Sequence, residues 1–228
     1  MPAHAYTAEG MAPRPLLRRA RSSGPGGALG VAGLCVLGLA LVWFVATHVA
    51  AAEWKDAIAL NDFTRLSRPR VDGPAHFLLS LLSPLPFILW GVALMALALA
   101  RERPRTALAV AVVMGLAPLT AETLKPLLAH PHVHVGAAYV GAASWPSGHS
   151  TAATALVLCA VLVAPQRLRL LLAGVGVVFV LAVSCSLLIL AWHMPSDVVG
   201  GYLVASLWMA LAVAALRAAD RRWPSRRR

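Results

Sequence analysis

Charged residues are scarce in this chain of 228 amino acids: they make up 13% of it, and only nine are acidic. A soluble domain normally carries about 25%, so a water-exposed globule is excluded. Cysteine is scarce too. Cys35, Cys159 and Cys185 lie inside apolar runs with no C-x-x-C spacing, which removes a thiolate metal centre and leaves them as small hydrophobes. No cleavable leader is expected, because the first 26 residues are polar, basic and rich in Pro, Gly and Ala. The net charge of +11 raises nucleic acid as a partner, but the Lys and Arg residues sit in short segments between apolar runs and at both ends. They form no single basic face, so no nucleic-acid partner is expected.

Apolar residues dominate instead, at 59% of the chain, with a mean hydropathy of +0.73. Crossing a bilayer takes about 20 of them in a row. Six segments qualify, near Gly27 to Ala52, Pro74 to Ala100, Thr106 to Leu128, Ser150 to Val163, Leu170 to Ala191 and Val198 to Leu216, the fourth being the shortest. The expected fold is therefore all-α: a polytopic membrane protein with one six-span domain over 27–216, flanked by a disordered basic tail, 1–26, and a basic tail, 217–228.

Short cytoplasmic loops are enriched in Lys and Arg. Fifteen of the twenty basic residues fall before span one, between spans two and three, between four and five, or after six. That distribution predicts both termini in the cytoplasm and loops one, three and five outside. Segment Glu53 to Asp72, in loop one, reads either as an amphipathic helix along the outer surface or as a solvated loop. Trp54, Trp145 and Trp192 suit an outer interfacial belt.

On this topology two histidine motifs land on the same outer face. In Pro146-Ser147-Gly148-His149, glycine clears the way for an anion to reach backbone amides at a helix start, Ser147 adds a hydroxyl, and His149 can protonate a leaving oxygen. The same residues also suit a plain helix cap. His193 and Asp197, four residues apart, share a face if helical, so the carboxylate can orient the imidazole as a nucleophile; read alone, Asp197 could simply cap span six. Lys125 is the basic residue of span three, near its outer end, with Glu122 one turn earlier as a possible partner.

Together these residues resemble the type 2 phosphatidic acid phosphatase superfamily, membrane lipid phosphatases related to glucose-6-phosphatase and vanadium haloperoxidases. The motifs span roughly Leu124 to Tyr202: a lysine with a later Arg-Pro, then Pro-Ser-Gly-His, then Ser-Arg followed by His and Asp. The chain holds Lys125, the unchanged Pro146 to His149, and Ser186, His193 and Asp197. The resemblance implies that His193 attacks phosphorus, Asp197 orients it and His149 protonates the leaving group. Lys125, Ser147 and Gly148 would hold the phosphate.

Two positions depart from the pattern. His132 stands where the first motif has its arginine, with His130 keeping the proline that follows, and Leu187 replaces the arginine of the third motif. An arginine fork gives bidentate, permanently charged contact with phosphate; histidine is only partly protonated near neutral pH and leucine offers nothing. His130 and His132 are thus candidate phosphate ligands, and Arg65, Arg68 or Arg70 could substitute from loop one. The alternation of His130, His132 and His134 also permits a metal reading, but the resembled family needs none, so no metal or cofactor is expected.

The expected function is metal-independent hydrolysis of a lipid phosphate or diphosphate at the outer face of the plasma membrane, through a phosphohistidine. Polyprenyl phosphate or diphosphate, phosphatidic acid and phosphatidylglycerol phosphate are the substrate candidates. A weakly active or inactive protein that binds lipid phosphate on the same scaffold is the alternative. A transporter is disfavoured by spans one, five and six, which carry almost no ionisable group away from their ends. Oligomeric state is left open.

Overall fold

The structure is a computed structural model and describes residues 24–223, so most of the first tail and the last five residues of the chain lie outside it. Among the described residues eight α-helices follow one another: α1 Pro25–His48, α2 Ala50–Thr64, α3 Pro69–Ser80, α4 Pro84–Ala100, α5 Pro104–Leu127, α6 Gly148–Val163, α7 Arg169–Ile189 and α8 Pro195–Arg222. There is no strand among the described residues. Five of these helices open on proline, whose fixed φ suits the first helical position and whose missing N–H is not needed there.

Four helices, α1, α5, α7 with its leading turn, and α8, are long and apolar enough to cross a membrane. The expected second span is not one rod. It breaks into α3 and α4, bent by 53°, at Leu81–Ser83. Ser83 is extended because Pro84 disfavours helical backbone in the residue before it. Counted as one, the bent pair makes a fifth crossing, and α6 is apolar but only 16 residues long. The protein is thus an integral membrane protein, all-helical in its described residues, with four or five segments of spanning length among them.

α5, α6 and α8 form the centre, with α1 against α8, α4 against α5, and α7 against α6 and α3. Small residues make this close approach possible: Ala152, Ala153 and Ala155 of α6 and Gly200, Gly201 and Ala205 of α8 are all buried. The outward sides of α1, α4 and α7 carry exposed Leu37, Leu89, Leu170 and Val178, the surface a lipid-facing helix needs. Segment Glu53 to Asp72 is mostly helical. α2 turns Ala57 and Leu60 inward and leaves Trp54 and Ile58 exposed.

α6 sets the polarity of the molecule. At its carboxyl end Arg101 donates to the Val163 carbonyl at 2.8 Å, and Arg103 to Leu162 and Val163 at 3.4 Å each, so cations cover carbonyls that the helix leaves open. Its amino end, Gly148, is the other end of the bundle, where α5 finishes and α8 begins.

Candidate active site

The two histidine motifs are joined by their backbones. The Ser147 N–H donates to the Asp197 carbonyl at 2.9 Å, and Ser150 Oγ donates to the Val198 carbonyl at 2.8 Å. Gly201 permits this contact: a Cβ there would lie 2.7 Å from the Ser147 carbonyl and 2.9 Å from the Thr151 nitrogen. Ser147 is the N-cap of α6, fully buried, its Oγ accepting from the Ser150 N–H at 3.3 Å. The cap role raised by the sequence is therefore filled. The first two amides of the helix, Gly148 and His149, have no acceptor among the described residues.

His193 and Asp197 meet, but not across a helix face. His193 precedes α8, which starts at Pro195, and Asp197 is the third helical residue. Its Oδ2 accepts from the Met194 N–H at 2.9 Å and lies 3.2 Å from His193 Nδ1. Because a carboxylate only accepts, Nδ1 carries the proton and Nε2 is left free to act as a nucleophile or base. Asp197 is 0% exposed and its Oδ1 has no partner among the described residues, so its charge is held by the hydrogen bonds at Oδ2 and by the amino end of α8.

The turn that delivers His193 follows from the end of α7. The Ala191 N–H donates to the Leu188 carbonyl and the Trp192 N–H to the Leu187 carbonyl, a Schellman pattern with Ala191 at φ 55° where glycine is usual. Trp192 then stands between two histidines, its ring centroid 5.7 Å from that of His149 and 5.6 Å from that of His76.

A groove of about 700 Å³ opens between the α3–α4 bend and α5. Lys125, Glu122, Gly148, His149, Trp192 and His76 line its polar end, while Leu82, Phe87, Ile88 and Met114 line the rest. Lys125 Nζ lies 2.7 Å from Glu122 Oε1, the pairing that their spacing suggested. His149 shares this lining with Lys125 and Glu122; His193 is not part of the lining, but its chain neighbour Trp192 is, in edge contact with the His149 ring.

Residues 77–221 match the sequence profile of the PAP2 superfamily. The chain belongs to the PAP2 superfamily. Comparison with curated proteins finds no match. Among solved structures the chain is similar to the transmembrane PAP2-type phosphatidylglycerolphosphate phosphatase of Bacillus subtilis, with TM-score 0.67 and 19% identity over 86% of this chain and 98% of that one. At that identity the likeness concerns the fold.

Within this PAP2 chain the two departures from the expected motifs take different forms. Leu187 is 0% exposed and part of the apolar core. His132 Nε2 is 2.9 Å from Ser144 Oγ; burial pushes its pKa down, opposed by the negative charges of Asp197 and Glu53. His130 Nδ1 donates to the Leu128 carbonyl at 3.2 Å, leaving a buried Nε2 without a partner among the described residues. Neither histidine lines the groove. Arg65 pairs with Asp62, and Arg68 donates to the Arg65 and Ser67 carbonyls, within their own segment. Among the described residues no three His, Cys, Asp or Glu side chains are grouped to hold a metal ion, so the alternating histidines do not converge as ligands. Trp145, expected at the interface, is buried at 2% exposure and packs against Gly200.

Sequence reasoning gave His76 and Asp56 no role and placed Trp192 in an interfacial belt. His76 and Trp192 line the groove's polar end, and Asp56 of α2 accepts from both the N–H and Oγ–H of Ser196, at 3.1 and 2.6 Å. No motif marks them. The proline-rich break at Ser83 was the one available sign that α3 and α4 would fold back to enclose a groove.

Proposed function

We propose that this protein is a metal-independent lipid phosphatase that works through a phosphohistidine. The observation that carries the reading is a single groove, apolar along most of its length, whose polar end gathers Lys125, Gly148, His149 and Trp192, with Trp192 next in the chain to His193 of the His193–Asp197 pair. In the proposed reaction the Nε2 lone pair of His193 attacks phosphorus as the P–O bond to the lipid breaks. His149 gives its proton to the departing oxygen, then takes one from the water that cleaves the P–N bond. Asp197 keeps the His193 ring oriented and stabilises its positive charge. Lys125 and the free amides of Gly148 and His149 hold the phosphate oxygens, with the Ser147 hydroxyl, His132 and His130 as further candidate donors.

The same reading places six crossings in the membrane, with α6 the short one. Sixteen residues rise about 24 Å, less than the roughly 30 Å of hydrocarbon. With Arg101 and Arg103 holding the carboxyl end of α6 at the basic face, Gly148 comes level with the opposite headgroups, and the apolar groove takes the lipid tail. The distribution of basic residues supports cytoplasmic termini, and hence an active site on the outer face of the plasma membrane. Polyprenyl phosphates or diphosphates, phosphatidic acid and phosphatidylglycerol phosphate remain the substrate candidates. Binding of lipid phosphate without turnover is the second reading, favoured by the buried Leu187 at the arginine position.

The test is phosphate release by the purified protein in detergent, with chelator present, from that panel of lipids. Release that His193→Ala abolishes supports the reading; no release from any of them between acidic and neutral pH favours binding alone.

A further inference from the structure

Glu122 is a negative charge at the polar end of the groove, where an anion is to bind. Its Oε1 is 2.7 Å from Lys125 Nζ, and a Cβ on Gly148 would lie 2.6 Å from that same oxygen and 3.6 Å from the lysine nitrogen. The carboxylate therefore lies directly over Gly148, on the residue that glycine keeps open. The Lys125 side chain is 21% exposed and that of Glu122 is 59% exposed, so the lysine is held in place while the glutamate arm has room to swing out.

We propose that Glu122 is the resident occupant of the anion site: its carboxylate holds Lys125 over Gly148 in the free protein, and a substrate phosphate has to displace it. The proposal rests on the phosphatase reading and adds a specificity rule to it. A phosphodiester headgroup, the form of most bilayer phospholipids, carries one negative charge on phosphorus. It exchanges one unit charge for another at Lys125 and gains little. A terminal phosphate or diphosphate brings a second charge and a third non-bridging oxygen on the terminal phosphorus, and wins the exchange. Glu122 thus screens the site from the surrounding diester lipids and admits terminal phosphate.

The experiment compares the full-length protein with Glu122→Gln in detergent, titrating inorganic phosphate calorimetrically and using phosphatidylglycerol as a competitor of hydrolysis. Glu122→Gln is expected to bind inorganic phosphate roughly 3- to 10-fold more tightly, the scale of one partly exposed charge contact. Phosphatidylglycerol is expected to inhibit the variant at concentrations that leave the wild type unaffected. Unchanged or weaker phosphate binding by Glu122→Gln would overturn the proposal, assigning Glu122 to the support of Lys125, while leaving the phosphatase reading intact. Absence of phosphate binding by both proteins would remove both.

Discussion

The backbone N–H of Ser147 donates to the backbone carbonyl of Asp197 at 2.9 Å. That bond fastens the start of α6 to the start of α8, so the helix end offered to an anion and the histidine held by Asp197 move as one unit. Precision of this kind is what a reaction between a bound phosphate and a fixed nucleophile requires.

Asp197→Asn keeps the size of the side chain but removes the charge that the buried His193 relies on. The expected loss in kcat is roughly 10²- to 10⁴-fold, with the protein still folded. His193→Ala should abolish turnover and also the acid-labile phosphoenzyme, measured by rapid quench with labelled substrate. A labelled intermediate persisting in His193→Ala would assign the nucleophile elsewhere.

His132 is expected to make activity acid-favoured. Burial holds its pKa below the ordinary 6.5, so the ring is neutral at pH 7 and gains charge only as pH falls. His132→Arg restores a permanent cation: kcat/KM should rise at neutral pH and its increase toward acid should flatten. The sign for stability is opposite. A histidine with a depressed folded pKa stabilises above 6.5 and loses that contribution as pH falls through the folded value. Thermal melts of the wild type from pH 7.5 to 5 should therefore fall more steeply than those of His132→Arg.

Gly201→Ala tests the joint itself. Its methyl group would meet the Ser147 carbonyl and the Thr151 nitrogen, backbone atoms that cannot step aside. Overpacking of this kind costs about 1–3 kcal/mol, and activity should fall along with stability. A variant of unchanged melting temperature and full activity would contradict the packing described.

Ala191 offers the reverse experiment. It occupies the left-handed region at φ 55°, a conformation that costs a non-glycine residue about 1–2 kcal/mol. Ala191→Gly is expected to raise stability by up to about 1 kcal/mol, less than the full strain because glycine also loosens the unfolded chain. Denaturant unfolding in mild detergent measures it.

Asp56 separates charge from hydrogen bonding. Burial raises its pKa, outweighing the two hydrogen bonds from Ser196, and Asp197 adds repulsion. A carboxyl with a raised folded pKa gives stability that is present below 3.8 and lost as pH rises through the folded value. At pH 7, then, Asp56→Asn should equal or exceed the wild type in stability, because it keeps an acceptor for the Ser196 N–H without the buried charge. Asp56→Ala should lose about 1–2 kcal/mol with the two Ser196 hydrogen bonds at the start of α8. Equal melting temperatures for the two variants would show that the contact does not hold α2 in place.

The order of apolar runs, their approximate ends and the all-helical class were legible in the sequence, because crossing a bilayer demands a minimum length of apolar residues whatever the neighbours do. Pro146 to His149 and the His193–Asp197 pair were legible as candidates, because they are local in the chain and their residue types suit phosphate chemistry. Proline at 84 marked the break in the second run, yet the direction of the resulting bend, and with it the groove, depends on α3 packing against α7 while α4 packs against α5. Trp145 illustrates the limit most plainly: an aromatic beside a polar motif suits an interface, but Gly200, fifty-five residues away, leaves the space that buries it. Residue type and spacing determined the helices and the candidate reactive groups. Only tertiary contact decided which groups share a cavity, because that depends on which glycines and alanines let two distant helices approach.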